Sequence, residues 1–517
     1  MPPTEITTFL TPGRVMPRRI VKRRGTTRER TGCLTCRQRK KRCDLGHPIC
    51  KGCARLNYHC QWEDPRPVPG HAQDISSGLS QLLAPTAHGP FRLLQNPDPI
   101  LFWVDEHADC ASLSSRRHLL RYYTQTFTIL LTSNVENNCF LSVFLPMAMH
   151  SPPLMTALIA WSASHLALRD PSFQQVAMQN RCAALRDLRG VFNSDRASIE
   201  IPLAISLVLC SLESIMADDS HAWYLHLMGA AGIIASRLDP LELSGDSEHI
   251  TLRLRQQFED TYAGRWLLRN FAYRDIVMSV ARGRAPLLSS YQFLRLDDPQ
   301  VPDSHFGLAS EIMEILSLTS MLQAEIRGCR PRTPTEKKYD QGKPDDTHQG
   351  IQIQAKVGAN LASLESRLCQ WTCPSSPDMS LKLLAESYRS SALIHLYRVI
   401  QSAFPGRTKE LSEKMMGQVS VIVRSVEQMP LRSLPECTLL FPLFLAGGEA
   451  TEECHIQSIR NRMRDLVQFR SFRNVDVALS VLEKLWRSRT VENSADPGMR
   501  IDWLEIIQQD GIYLSLT

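Results

Sequence analysis

Six cysteines within 28 residues, Cys33-x2-Cys36-x6-Cys43-x6-Cys50-x2-Cys53-x6-Cys60, constrain this chain more than any other feature, because one 2-and-6 spacing occurs twice. If each CxxC opens a helical turn, its two sulfurs and the third cysteine seven residues on lie on one helix face and converge. Each half then offers three thiolates, one fewer than a closed tetrahedral zinc needs, so the two halves hold two zinc ions only by sharing sulfurs. Six thiolates, two of them bridging, fill eight positions and leave a formal charge of −2. A segment this short buries too little apolar surface to fold alone, so zinc binding is expected to drive its folding. A disulfide framework is the competing use of regular cysteines. The N-terminus, MPPTEITTFLTPGRV, lacks the apolar core of the secretory signal that such a framework would call for.

The two halves match in ligands and differ in charge. Arg37, Gln38, Arg39, Lys40, Lys41 and Arg42 fill the first six-residue gap, whereas Ala54, Arg55, Leu56, Asn57, Tyr58 and His59 fill the second. Five cations on one short helix repel each other unless a polyanion is present, so the first half is expected to meet phosphates and the second to act as scaffold. Upstream, Arg14, Arg18, Arg19, Lys22, Arg23, Arg24, Arg28 and Arg30 make residues 1–30 a basic arm. It is expected to order only on meeting DNA and to serve nuclear import as well. Residues 1–62 carry fifteen Lys and Arg against Glu5, Glu29 and Asp44, a net +12, while the whole chain is +6, so the remaining 455 residues are −6. A basic head on a mildly acidic body is the electrostatic footprint of a nucleic-acid binder joined to a domain with another task.

The cysteine window resembles the fungal zinc-cluster (Zn2Cys6) family of transcription factors, down to the proline two residues before the fourth cysteine, Pro48. The resemblance implies two zinc ions per chain: Cys33 and Cys50 bridge, Cys36 and Cys43 complete one site, and Cys53 and Cys60 complete the other. It also implies base-edge contact by the third and fourth residues after the second cysteine, Arg39 and Lys40, which leaves Arg37, Lys41 and Arg42 for phosphates. Arg or Lys donating to guanine O6 and N7 is the commonest specific base contact, and the family's usual target is a CGG-type triplet. Many members carry a coiled coil after the cluster. Here only Ile75, Leu79, Leu82 and Leu83 recur, short of three heptads, so monomer and homodimer both stay open.

Residues 63–110 hold Pro65, Pro67, Pro69, Pro85, Pro90, Pro97 and Pro99 and read as an extended linker. From residue 111 the periodicity is helical, with stripes at Leu154, Leu158 and Trp161, at Val357, Leu361, Leu364 and Leu368, and at Ile456, Ile459, Met463 and Leu466. The expected architecture is a small two-zinc module with two short helices at 31–62 and a large all-α regulatory domain with short loops at 111–517, Gly328 to Gly350 forming an exposed loop. Asn137 to Leu168 lacks charged residues, but Pro146, Pro152 and Pro153 interrupt it, so it reads as buried core and no membrane span is expected. Four places resemble the fungal-specific transcription factor domain of the second type. They are Phe144-Leu145-Pro146 with Ser151-Pro152-Pro153-Leu154 and Ala163-Ser164-His165-Leu166; Trp223-Tyr224-Leu225-His226-Leu227 with Gly229-Ala230; Phe271-Ala272-Tyr273-Arg274-Asp275; and Phe441-Pro442-Leu443-Phe444 with Ala446-Gly447.

Within the body, His165, His226 and Trp223 are read as core residues in preference to pocket residues. Cys369 and Cys373, without a second pair, and the seven other cysteines outside the cluster are read as thiols without a metal. Two acidic and aromatic stretches, Pro97 to Asp109 and Ile501 to Leu516, have the composition of coactivator-binding segments, with a docked amphipathic helix preferred for the second. No GxxxxGK[ST], GxGxxG, HExxH or GxSxG motif occurs, so the chain is not expected to be an enzyme. The resulting expectation is a nuclear, sequence-specific DNA-binding regulator of RNA polymerase II genes, activating a metabolic pathway or a biosynthetic gene cluster. A zinc- or redox-responsive thiol sensor, or a repressor, is the alternative.

Overall fold

The computed structural model describes residues 33–45, 50–56, 60, 110–192, 199–218, 221–236, 258, 261–288, 300–328, 346–492 and 501–517. The chain separates into two compact units, Met1–Thr86 and Ala87–Thr517. The expected arm at 1–30, most of the linker at 63–110, its leucines, and the stretch Pro97 to Asp109 lie outside the described residues.

The first unit contains two short helices, α1 (Leu34–Gln38) and α2 (Lys51–Ala54), which pack on each other. What they bury is sulfur: Cys33, Cys36, Cys50 and Cys53 are the buried residues of its cluster, with Cys43 and Cys60 packed against them. The basic run departs from expectation. It does not lie on one helix, because α1 ends at Gln38 and Lys40 takes a left-handed backbone with φ of 55°. Lys41 N then bonds back to Cys36 O at 3.0 Å, the six-to-one closure that ends a helix. Cys43 is therefore returned to the cluster by a chain reversal and not by helical periodicity.

The second unit is built of helices joined by irregular segments, and among its described residues it has no strand, only one isolated bridge between Asp303 and Gly307. Its helices are α3 (Cys110–Tyr122), α4 (Thr128–Leu131), α5 (Leu145–Met149), α6 (Pro152–Arg169), α7 (Gln174–Phe192), α8 (Glu200–Met216), α9 (Ala222–Ala235) and α10 (Tyr262–Arg282). They are followed by α11 (Ser310–Gly328), α12 (Asp346–Gln370), α13 (Met379–Ala403), α14 (Thr408–Gln428), α15 (Leu440–Glu449), α16 (Glu453–Arg470), α17 (Arg473–Glu492) and α18 (Trp503–Gln509). Local chemistry sets several of these limits. Ser151 caps α6 ahead of Pro152 and Pro153, whose missing N–H groups cost nothing in a first turn, and Asp378 caps α13 through Ser380 N at 2.8 Å. Gly283, at φ of 58°, closes α10 by the same six-to-one bond, Arg284 N to Ser279 O.

Helices α6, α8, α10 and α15 are buried over most of their surface and form the centre. Around them, α7 packs on α6, α9 on α8, α11 on α10, α14 on α13, and α17 bridges α8 and α15. All three hydrophobic stripes read from the sequence face this core. No helix among the described residues is long and apolar enough to cross a membrane. Residues 137–168 form a wide π-type turn at Phe140–Phe144, then α5 and α6.

One expectation about a loop needs correction. Of the expected loop Gly328 to Gly350, Gly328 closes α11 and residues from Asp346 onward belong to α12, while 329–345 lie outside the described residues. Between α10 and α11, the described residues 300–309 form a non-helical connector. Part of that connector is buried: Ser133 Oγ donates to Asp303 O at 2.7 Å, and the Asn134 amide donates to the same oxygen at 3.1 Å. Side chains of the segment after α4 thus satisfy a backbone that no helix serves.

Candidate metal centre and nucleic-acid interface

In the first unit, helices α1 and α2 bring equivalent cysteines together. The Sγ–Sγ separations are 3.8 Å for Cys33–Cys50, 3.8 Å for Cys33–Cys53, 3.6 Å for Cys36–Cys50 and 3.8 Å for Cys36–Cys53. None of these cysteines forms a disulfide. A tetrahedron with zinc–sulfur bonds of about 2.3 Å has edges of about 3.8 Å, so the sulfurs stand where a thiolate–zinc centre needs them. Cys43 joins from the side of Cys50, and Cys60 Sγ accepts from Cys50 N at 3.3 Å.

The backbone contributes too. Cys33 Sγ accepts from Cys36 N, and Cys50 Sγ from Cys53 N, each at 3.3 Å, so the first turn of each helix aims an N–H at a sulfur. Burial pushes the Cys33 thiol well above its ordinary range and Cys53 up to about 12, while the Cys50 amide holds Cys60 lower. Thiols packed this closely become thiolates together only with cations among them, which is the chemistry zinc supplies when bound. Asp44 Oδ2 accepts from Lys51 N at 3.1 Å and so caps α2, a role the sequence reading missed. Its one signal was an acid standing alone inside the basic window.

Of the residues expected to contact DNA, Arg37 lies on α1 with its side chain outside what is described. Arg39 is half-buried in the turn, and Lys40, Lys41 and Arg42 are exposed. Leu45, also left-handed at φ of 61°, is exposed beyond them. From Arg39 onward the cations therefore follow the end of α1 on a turn and an irregular segment.

The body residues singled out from sequence lie in the core. His165 is fully buried, its Nδ1 2.8 Å from Tyr122 Oη and its Nε2 2.7 Å from Arg470 O, and burial lowers its pKa to about 3. Trp223 is buried with Nε1 donating to Tyr513 O at 2.9 Å, and His226 is half-buried. The stretch Ile501 to Leu516 includes α18, docked through Trp503, Ile506 and Ile507 with Leu514 and Leu516 beyond it. Cys369 is exposed and Cys373 half-buried; among the described residues neither stands in a potential metal group.

Comparison with known proteins agrees with this division. Residues 31–68 match the fungal Zn(2)-Cys(6) binuclear cluster domain, which binds two zinc ions, and residues 118–517 match the fungal specific transcription factor domain. The transcriptional activator protein UGA3 of Saccharomyces cerevisiae is 25% identical over 307 residues, covering 53% of this chain and 58% of that protein. An uncharacterized transcriptional regulatory protein of Schizosaccharomyces pombe is 22% identical over 94% of this chain and 96% of its own length. The pestheic acid cluster transcriptional regulator 3 of Pestalotiopsis fici is 24% identical over 89% and 95%. No solved structure matches the chain. With a cysteine cluster at its head and the regulatory family's domain over most of its length, the chain belongs to the fungal-specific transcription factor family, as a zinc-cluster transcriptional regulator.

Proposed function

We propose that this chain reads CGG-type triplets in the DNA major groove through Arg39 and Lys40, with Arg37, Lys41 and Arg42 on the flanking phosphates. The observation that carries this is the left-handed turn at Lys40, which ends α1 and leaves Lys40, Lys41 and Arg42 exposed between two cysteines of the cluster. A cation at a helix end, fixed by a metal-ordered backbone, can place its charge on a base edge where a flexible arm cannot. In this reading all six cysteines are zinc ligands, and Cys33 and Cys50 are the bridges. Support comes from the neighbours of the outer pair: Cys43 lies among Cys33, Cys36 and Cys50, and Cys60 among Cys33, Cys50 and Cys53.

Four segments divide the work: a basic arm at 1–30, the zinc module at 31–62, a linker at 63–110 and the regulatory body at 111–517. The protein acts in the nucleus on RNA polymerase II genes and activates a metabolic pathway or a biosynthetic gene cluster. The names of two relatives, one an activator and one the regulator of a cluster, support that choice. The test is selection of duplexes by the full chain from a random pool. Enrichment of CGG triplets is expected, and Lys40→Ala should relax one triplet position at a cost of about 1 to 3 kcal/mol. Recovery of no common triplet, or equal losses on every sequence, overturns the assignment.

A further inference from the structure

A second group of metal-ligating side chains lies in the body, far along the chain from the six cysteines of the head. Glu452, Cys454 and His455 sit where the backbone enters α16, and one donor atom from each lies within 4.8 Å of the other two. Glu452 Oε2 is 3.7 Å from Cys454 Sγ and 3.5 Å from His455 Nδ1. A tetrahedral zinc with bonds of about 2.0 Å to nitrogen and oxygen and about 2.3 Å to sulfur has O–N and O–S edges of about 3.3 to 3.6 Å, close to both separations.

Ordinary helix-entry chemistry does not account for these three residues. Glu452 holds the N-cap position of α16, where an acid usually accepts from a backbone N–H, yet its side chain caps nothing and lies against Cys454 and His455 instead. The His455 side chain is only 14% exposed, and its Nδ1 is shut off from solvent without a hydrogen bond. A neighbour on α14 fixes the tautomer. Ser420 Oγ donates to Met416 O at 3.1 Å, so toward the His455 ring, whose Nε2 lies 3.5 Å away, it serves as acceptor. The ring proton then belongs on Nε2, which leaves a lone pair on Nδ1 facing the Glu452 carboxylate. A lone pair and a carboxylate repel, and a cation held between them removes the repulsion.

We propose that Glu452, Cys454 and His455 bind one zinc ion, with water in the fourth position. The donor set selects the metal, since thiolate and imidazole suit zinc whereas calcium and magnesium take oxygen donors. The charges close as well: one carboxylate and one thiolate neutralise the divalent ion, the ring staying neutral and the Cys454 proton passing to solvent on binding. The first turn of α16 favours both anionic ligands through its positive end. Cys454 is exposed and the Glu452 side chain is 60% exposed, so the fourth position opens to water, as in sites that exchange a ligand. Such a surface site adds zinc to a body that is already folded. No CxxC or HxxxH spacing marks it, and the sequence therefore gave Cys454 as a thiol without a metal. The site lies wholly within the body and stands or falls separately from the reading of DNA.

The experiment is equilibrium dialysis of the full chain against a graded series of buffered free zinc, with metal analysis at each step. The unaltered chain should first fill the closed cluster of the head, about two ions, and then reach a second plateau at about three. Cys454→Ser, at an exposed position, and His455→Gln should both stop at about two, while Cys369→Ser, an exposed cysteine outside the group, should still reach about three. Ser420→Ala should weaken the third zinc at least about tenfold, because the ring loses the partner that sets its tautomer. A single plateau at about two in the unaltered chain, as expected if a proton shared by His455 and Glu452 already serves the nitrogen, overturns the proposal. So does a third zinc held undiminished in Cys454→Ser, which would be an adventitious ion on other surface groups.

Discussion

Lys40 combines two demands in one residue. A non-glycine residue at φ of 55° pays roughly 1 kcal/mol for crowding its Cβ against the backbone, and the position is the one where helices usually end on glycine. In the proposed reading the cation meets the base, whereas the turn alone would prefer glycine. Lys40→Gly should therefore resist zinc chelation better than Lys40→Ala by roughly 1 kcal/mol, while both lose discrimination at the same triplet position. Competition with a graded series of chelators measures the first, and duplex selection the second. Should alanine and glycine hold zinc equally, the turn carries no strain. The sequence shows the charge of Lys40 plainly, yet it gives no sign of the turn, because lysine is a good helix former and nothing in the run Arg37 to Arg42 is a helix stop. Histidines show the opposite balance. The core reading of His165 followed from its apolar neighbours on a helix; its partners, Tyr122 and Arg470, come from 43 and 305 residues away and no local pattern could name them.

The same buried histidines tie helices to pH. His165 on α6 and His395 on α13 are both brought from 6.5 down to about 3 by burial, and His395 Nε2 lies 3.1 Å from Ser320 Oγ on α11. The folded body keeps each ring neutral, whereas the unfolded chain takes up a proton below about pH 6.5. Stability is thus complete above that pH and falls as pH drops from 6.5 toward 3, by up to about 1.4 kcal/mol per pH unit for each ring. Urea midpoints across this range should show the slope, and His395→Leu should remove about one proton's worth of it; an unchanged slope would mean that His395 is already protonated in the folded body. At the C-terminal end, α18 supplies packing. Trp503 stacks edge-on against Phe444 at 5.2 Å, Arg398 lies 5.0 Å over its ring, and a Cβ on Gly448 would stand 2.7 Å from it. Gly448→Ala should cost about 1 to 3 kcal/mol by displacing the indole, and Trp503→Ala about 3 to 5, both read by denaturant unfolding. If Trp503→Ala lowers reporter activation without loss of stability, the segment recruits a partner after all. The amphipathic pattern of 501–516 allowed both uses, and only the buried partners on α13 and α15 separate them.

For the molecule as a whole, the legible part was what repeats. Doubled cysteine spacing declared the head, and helical stripes declared the body. What could not be read was anything set by residues meeting across hundreds of positions, such as the bond from Trp223 on α9 to Tyr513 O near the end of the chain. The two units also differ in what holds them together, and this leads to a prediction. The head's buried residues are cysteines, and its helices are five and four residues long, too short to persist in water without the metal. The body's core is built from aliphatic and aromatic side chains on helices of up to 25 residues, which require no metal. Removing zinc from the full chain should abolish duplex binding while far-UV helicity and the main unfolding endotherm stay nearly unchanged, and restoring about two zinc ions per chain should recover binding. Circular dichroism, calorimetry and a mobility-shift titration on one chelated sample decide it. Collapse of the body's endotherm on chelation would mean that metal holds more of this protein together than the head.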